Sequence, residues 1–142
     1  MTPRSTDGRS MALIVHPELD TLAELQGQMK AQGYMAILAR DLPMALFAIT
    51  QHRFDLAIVA VDIGDRGDGW SLASVIRMLF PRCYIAVTGA HANLQTYQTA
   101  INAGVSAVYP PAQPPSETVK AIMGDLSSFT ADLESRSGHS LQ

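Results

Sequence analysis

A single cysteine, Cys83, is all the thiol chemistry this chain has, so no disulfide can close within it. That fits a reducing compartment. Basic residues are also scarce: 10 Lys and Arg stand against 13 Asp and Glu, a net charge of -3 over 142 residues. A surface built to neutralise nucleic-acid phosphates is thereby excluded. Long apolar runs are missing too. No stretch approaches the roughly 20 residues needed to span a bilayer. The run Met11 to Val15, behind an N-terminal segment with two arginines, is too short for the core of a signal peptide. There is no internal repeat and no low-complexity tract. The composition, 47% hydrophobic and 16% charged, is that of one ordinary globular domain, and the expected compartment is the cytoplasm.

The stretch Asp55 to Gly69, DLAIVAVDIGDRGDG, organises the rest. Leu56 to Val61 is an uncharged run rich in Val and Ile, the pattern of a strand buried on both faces of a parallel sheet. It ends at Asp62, and an acidic, glycine-rich loop takes over. In open α/β sheets that edge is where ligands bind.

Taken in order, residues 1 to 10 read as a loose leader and residues 11 to 134 as the domain, with a loose tail from 135 to 142. Met11 to Val15 is a first strand. Leu19 to Gln32 is a helix striped by Leu19, Leu22, Leu25 and Met29, closed by Gly33. Met35 to Leu38 is a second strand. Asp41 is the expected N-cap of a helix over Pro43 to His52 that buries Leu46 and Ile49. After the Asp55 strand, Trp70 to Phe80 is helical and stops at Pro81. Tyr84 to Thr88 is a fourth strand. Asn93 to Ala103 is a helix carrying Leu94, Tyr97 and Ile101, ended by Gly104, and Val105 to Tyr109 is a fifth strand. The last helix is expected to start with Ser116 as N-cap and Glu117 in its first turn. Its apolar stripe runs from Val119 through Phe129 to Leu133. Five strands alternating with five amphipathic helices predict a doubly wound α/β domain of flavodoxin-like type, a five-stranded parallel sheet.

This order of landmarks resembles the receiver domain of two-component response regulators (CheY-like). The resemblance rests on the phrase FDLAIVAVDIGDRGDG, on Pro81, on Thr88-Gly89-Ala90 and on Ala103-Gly104 before the fifth strand, and covers about residues 11 to 126. It implies phosphorelay signalling rather than an enzyme, with an aspartate at the end of the third strand accepting a phosphoryl group from a histidine kinase. The family also uses an acidic pair after the first strand to hold Mg²⁺, a hydroxyl ending the fourth strand and a lysine ending the fifth.

The match of residues is partial. Asp62 fits the acceptor, although it lies one residue closer to Asp68-Gly69 and two residues further from Asp55 than the usual pattern. Thr88 fits the switch hydroxyl. His16 and Pro17 occupy the acidic pair, with Glu18 as the nearby carboxylate, so Asp62 and Glu18 are the candidate metal ligands. Pro110 and Pro111 cover the lysine position. Charge-assisted hydrogen bonds contribute about 1.5–3 kcal/mol each, and loss of two such partners slows phosphotransfer by orders of magnitude. The resemblance therefore implies a degenerate receiver, or pseudo-receiver, acting through protein–protein contact with a kinase or other signalling protein. Homodimerisation is expected through the fourth helix, fifth strand and fifth helix, residues 93 to 133, with Tyr97, Tyr109, Phe129 and Leu133 as anchors.

Each of these residues has a plainer reading. Asp62 also reads as a polar end to a buried strand, and Thr88 as a strand-end hydroxyl. The series Asp62, Asp65 and Asp68 departs from EF-hand spacing and reads as a solvated loop. His16 has no second ligand in motif spacing. Arg66-Gly67-Asp68 spells an adhesion tripeptide by chance. Phe129 also reads as folding back on its own domain. Two alternatives complete the set: a working phosphotransfer receiver with Mg²⁺ held in a non-standard site, and a flavin or nucleotide binder. The second needs a glycine- or hydroxyl-rich loop after the first strand; His16-Pro17-Glu18-Leu19 is neither.

Overall fold

The computed structural model describes residues 10–64 and 67–140, with side chains described through 133. The leader over 1–9, the Asp65 of the acidic series, the Arg66 of the tripeptide and the tail over 141–142 lie outside the described residues.

Five strands alternate with five helices. The strands are β1 (Ser10–Val15), β2 (Tyr34–Ala39), β3 (Leu56–Ala60), β4 (Tyr84–Thr88) and β5 (Ala107–Tyr109). The helices are α1 (Leu19–Ala31), α2 (Leu42–Gln51), α3 (Asp68–Leu79), α4 (Leu94–Ala103) and α5 (Pro115–Ser140). All strand pairings are parallel, in the order β2-β1-β3-β4-β5. The doubly wound architecture expected from the sequence is the one observed. β1 and β3 are apolar without alternation because both are sheathed on two faces. One core layer holds Leu13, Val59, Leu72, Ile76 and Val87 under α2, α3 and α4. The other holds Ile14, Leu22, Ile58, Tyr84 and Ile122 under α1 and α5.

Local signals hold where chemistry fixes them. The Asp41 carboxylate accepts from the Met44 N–H at 2.9 Å, and Asn93 caps α4 the same way through Thr96 N–H at 2.9 Å. Gly104 closes α4 at φ 77°. Several expectations are corrected. Ser10 belongs to β1 rather than to a leader, paired with Tyr34. α3 begins at Asp68, because Gly67 in the left-handed region turns the chain before Trp70 is reached. Ser116 does not cap α5: the helix opens at Pro115, whose preset φ suits that position, and the Thr118 N–H reaches Pro114 O at 3.0 Å. α5 also continues to Ser140, past the boundary at 134.

The largest correction concerns helix faces. α2 buries Ala45, Ala48 and Ile49, while Leu46 is exposed. α4 buries Ala100 and Ala103 and turns Leu94, Tyr97 and Ile101 outward. Leu19 is exposed as well. Small residues let these helices sit close to the sheet, so the alanine face wins the interior and the larger side chains are left outside.

Candidate functional site

Strand order reverses between β1 and β3, and the register brings the carboxyl ends together: Val15 lies opposite Val59, and Ala60 opposite Thr88, which lies opposite Tyr109. The residues that follow therefore meet in one crevice, where such folds bind ligands. Val61 N–H donates to Thr88 O at 2.9 Å and Gly89 N–H to Tyr109 O at 3.0 Å, tying the three connections together.

The crevice is a cavity of about 250 Å³. His16 and Pro17 form one wall, and Ala60, Val61 and Asp62 the floor beside Thr88 and Gly89. The loop from Pro110 to Gln113 forms the opposite wall, with Pro115 and Thr118 of α5 behind it. Asp62, Thr88, His16, Pro17, Pro110 and Pro111, six positions singled out from the sequence, are thus brought into one place. Glu18 is not: its carboxylate lies outward and accepts from the Thr21 hydroxyl at 3.5 Å. The other loop carboxylate among the described residues, Asp68, folds back over Gly64. Asp62 is the single charged side chain among the described residues lining the cavity, and no Lys or Arg joins it. The nearby guanidinium of Arg40 is used on the Pro17 carbonyl at 3.3 Å.

His16 is held by its own loop. Its Nδ1 accepts from the Glu18 N–H at 3.1 Å, which places the proton of the neutral ring on Nε2. Burial lowers its pKa against the opposing pull of the Glu18 carboxylate, so the ring is neutral around pH 7. Hard cations such as Mg²⁺ require several oxygen ligands in octahedral array. Among the described residues the cavity lining supplies Asp62 as its one carboxylate, and no group of three His, Cys, Asp or Glu able to hold a metal occurs among them.

The position of Asp62 itself differs from the expectation that it ends the third strand. β3 ends at Ala60, opposite the last residue of β4, and Asp62 stands beyond it. Ala60 and Val61, which separate the buried run of β3 from Asp62, are both apolar. The loop closes tightly behind them. Gly69 N–H donates to Val61 O at 3.1 Å, and a Cβ at Gly69 would run into Ala60 O.

Two of the proposed interface anchors are engaged within the domain, Tyr109 buried and Phe129 partly buried. Tyr109 is buried, its hydroxyl 3.0 Å from that of Tyr84 and donating to Asp125 Oδ2 at 2.7 Å. Phe129 packs edge-on against Tyr84 at a 5.2 Å centroid distance, so it does fold back on its own domain. Tyr97 is exposed and Leu133 half-buried. Sequence reasoning missed the hydroxyl pair and Asp125, because the three lie far apart along the chain. It also missed Thr118, a buried polar residue whose hydroxyl donates to Gln113 Oε1 at 3.0 Å behind the cavity. A threonine in the first turn of a helix carries no distinguishing signal.

No protein-family model matches the chain. It is 32% identical over 93 residues to the nitrogen assimilation regulatory protein NtrX of Azorhizobium caulinodans, an alignment covering 65% of this chain and 20% of that protein. The chain therefore spans about a fifth of the length of this curated relative. Among solved structures, a CheY-like response regulator receiver domain protein from Methanospirillum hungatei superposes with a TM-score of 0.76 at 21% identity, covering 87% of this chain and 98% of that one. NtrX from Brucella abortus superposes with a TM-score of 0.75 at 21% identity over 90% of this chain and 29% of the other. A response regulator from Clostridium difficile gives 0.73 at 23% identity, covering 84% and 97%. The chain therefore has the fold of the CheY-like receiver domains of response regulators.

Proposed function

We propose that this chain is an atypical receiver module of two-component signalling, one that acts by binding other signalling proteins, a histidine kinase among them, and not by catalysis or by carrying a phosphoryl group on Asp62. One observation carries the reading: the described lining of the crevice holds one carboxylate and no cation. An incoming phosphoryl group brings negative charge to a site that already holds the charge of Asp62. Neutralising it takes a metal or a fixed cation in a water-poor site. Two prolines at the lysine position and His16-Pro17 at the acidic pair provide neither. The end of β3 at Ala60 and the apolar Val61 after it add no charge and support the same reading.

The test is incubation of the purified chain with Mg²⁺ and acetyl phosphate, followed by intact mass measurement, with Asp62→Ala in parallel. The expected result is no phosphate adduct on either protein. An adduct on wild type that Asp62→Ala abolishes would overturn the reading and make Asp62 a working acceptor.

A further inference from the structure

The crevice at the carboxyl ends of the strands presents one sign of charge to an incoming group. Asp62 is the single charged side chain among its described lining residues. That carboxylate is solvent-exposed and has no hydrogen-bond or ion-pair partner among the described residues. Main-chain donors are thinned out around it. Pro17, Pro110, Pro111 and Pro115 of the lining have no N–H. The N–H groups of His16, Val61 and Gly89 are already given to Ala39 O, Thr88 O and Tyr109 O. α5 opens beside the cavity on Pro115 and commits its Thr118 N–H to Pro114 O. Anions at such sheet edges are held by main-chain N–H groups and helix N-termini. This lining favours the opposite occupant, a cation that brings its own donors.

Shape narrows the choice. Pro17 on one side and Pro110 and Pro111 on the other give the crevice apolar walls, while Thr88 and Gln113 add uncharged hydrogen-bonding groups. Its volume of about 250 Å³ lies below the roughly 300–1,000 Å³ of sites for drug-sized ligands and cofactors. That suits one long side chain reaching in from outside.

From this we infer that the crevice receives an arginine side chain of a partner protein, its guanidinium paired with the Asp62 carboxylate and its methylene stem between the proline walls. The inference rests on the proposed reading of the chain as a protein-binding module whose Asp62 carries no phosphoryl group. Charge complementarity supports this occupant at two scales. Locally, a lone carboxylate meets a lone cation. Globally, a chain of net charge -3 draws basic segments and repels acidic ones. Between the two basic side chains, the guanidinium is the better match. It can engage both carboxylate oxygens at once, and it is less strongly hydrated than an ammonium, so it enters a proline-walled crevice at lower cost.

An NMR titration of the isotope-labelled full chain with N-acetyl-arginine amide tests it. Saturable shifts are expected at the amides of Asp62, Thr88, Ala112 and Gln113, with a Kd on the order of millimolar. The neutral isostere N-acetyl-citrulline amide is expected to leave these amides unmoved, and N-acetyl-lysine amide to bind at least about threefold more weakly. Asp62→Asn is expected to weaken arginine binding at least about tenfold, with the rest of the spectrum unchanged. Glu24→Gln on α1 removes the same charge away from the crevice and is expected to leave Kd within about twofold of wild type. A wild-type chain with no saturable shift overturns the inference, as does equal binding of the citrulline or lysine probe, or binding that survives Asp62→Asn. The acetyl phosphate experiment separates this failure from that of the underlying reading. A phosphate adduct on Asp62 removes both, whereas no adduct together with a silent arginine titration removes this inference alone.

Discussion

At the residue scale, the hydroxyl pair of Tyr84 and Tyr109 closes a link from β4 through β5 to Asp125 of α5. Burial, then the hydrogen bonds from Tyr84 and Asp125, push the Tyr109 pKa far above the ordinary tyrosine value of 10.0. The folded chain thus holds its proton where the unfolded chain has lost it. The contribution is fully present below about pH 10 and disappears as pH rises beyond it, since the unfolded state then binds fewer protons than the native state. Tyr109→Phe removes the donor to Asp125 and is expected to cost about 1–2 kcal/mol in urea denaturation at neutral pH. It should also flatten the fall in stability above about pH 10; an unchanged alkaline slope would show that Tyr109 titrates normally. The sequence revealed Tyr109 as an aromatic at the end of a strand. Whether it faced out to a partner or in to Asp125 depended on which sheet face the side chain took.

At the scale of elements, the turn from β3 into α3 is the most constrained joint. Gly69 sits where a Cβ would lie 2.7 Å from Val61 Cα and 2.9 Å from Val61 O, both backbone atoms that cannot rotate aside. Gly69→Ala is expected to destabilise the domain by about 1–3 kcal/mol, read as a lowered melting temperature. It should also perturb the NMR shifts of Asp62 and Thr88, because Val61 is tied to both the α3 turn and the end of β4. The glycine-rich composition after Asp62 announced a turn, and Asp41 and Asn93 announced helix starts, since an N-cap is a contact between residues three apart. Helix faces were less legible. A 3.6-residue period gives the spacing of a stripe, but on α2 and α4 two stripes compete, one large and apolar and one of small residues. Proximity to the sheet settled the contest for Ala45, Ala48, Ala100 and Ala103.

At the scale of the whole molecule, the sheet is most protected at its middle. β1 and β3 are flanked by strands on both sides and buried on both faces, whereas β2 is a boundary strand with partly exposed residues. Native-state hydrogen exchange is expected to be slowest in Leu13–Val15 and Ala57–Val59 and faster in β2 by about two orders of magnitude or more. Equal protection of β2 in dilute, monomeric protein would mean that its edge is covered by the chain itself. The sequence by itself determined the element order, the parallel sheet and the principal turns, because caps, breakers and apolar runs are written in neighbouring residues. It also determined that neither an acidic pair nor a lysine follows the first and fifth strands. Only the tertiary structure decided that β3 stops at Ala60 with Asp62 beyond it, that Glu18 turns away from the crevice, and that the large side chains of α2 and α4 face outward. These outcomes depend on register between strands and on which helix face packs closest, and both are set by contacts between residues far apart in the chain.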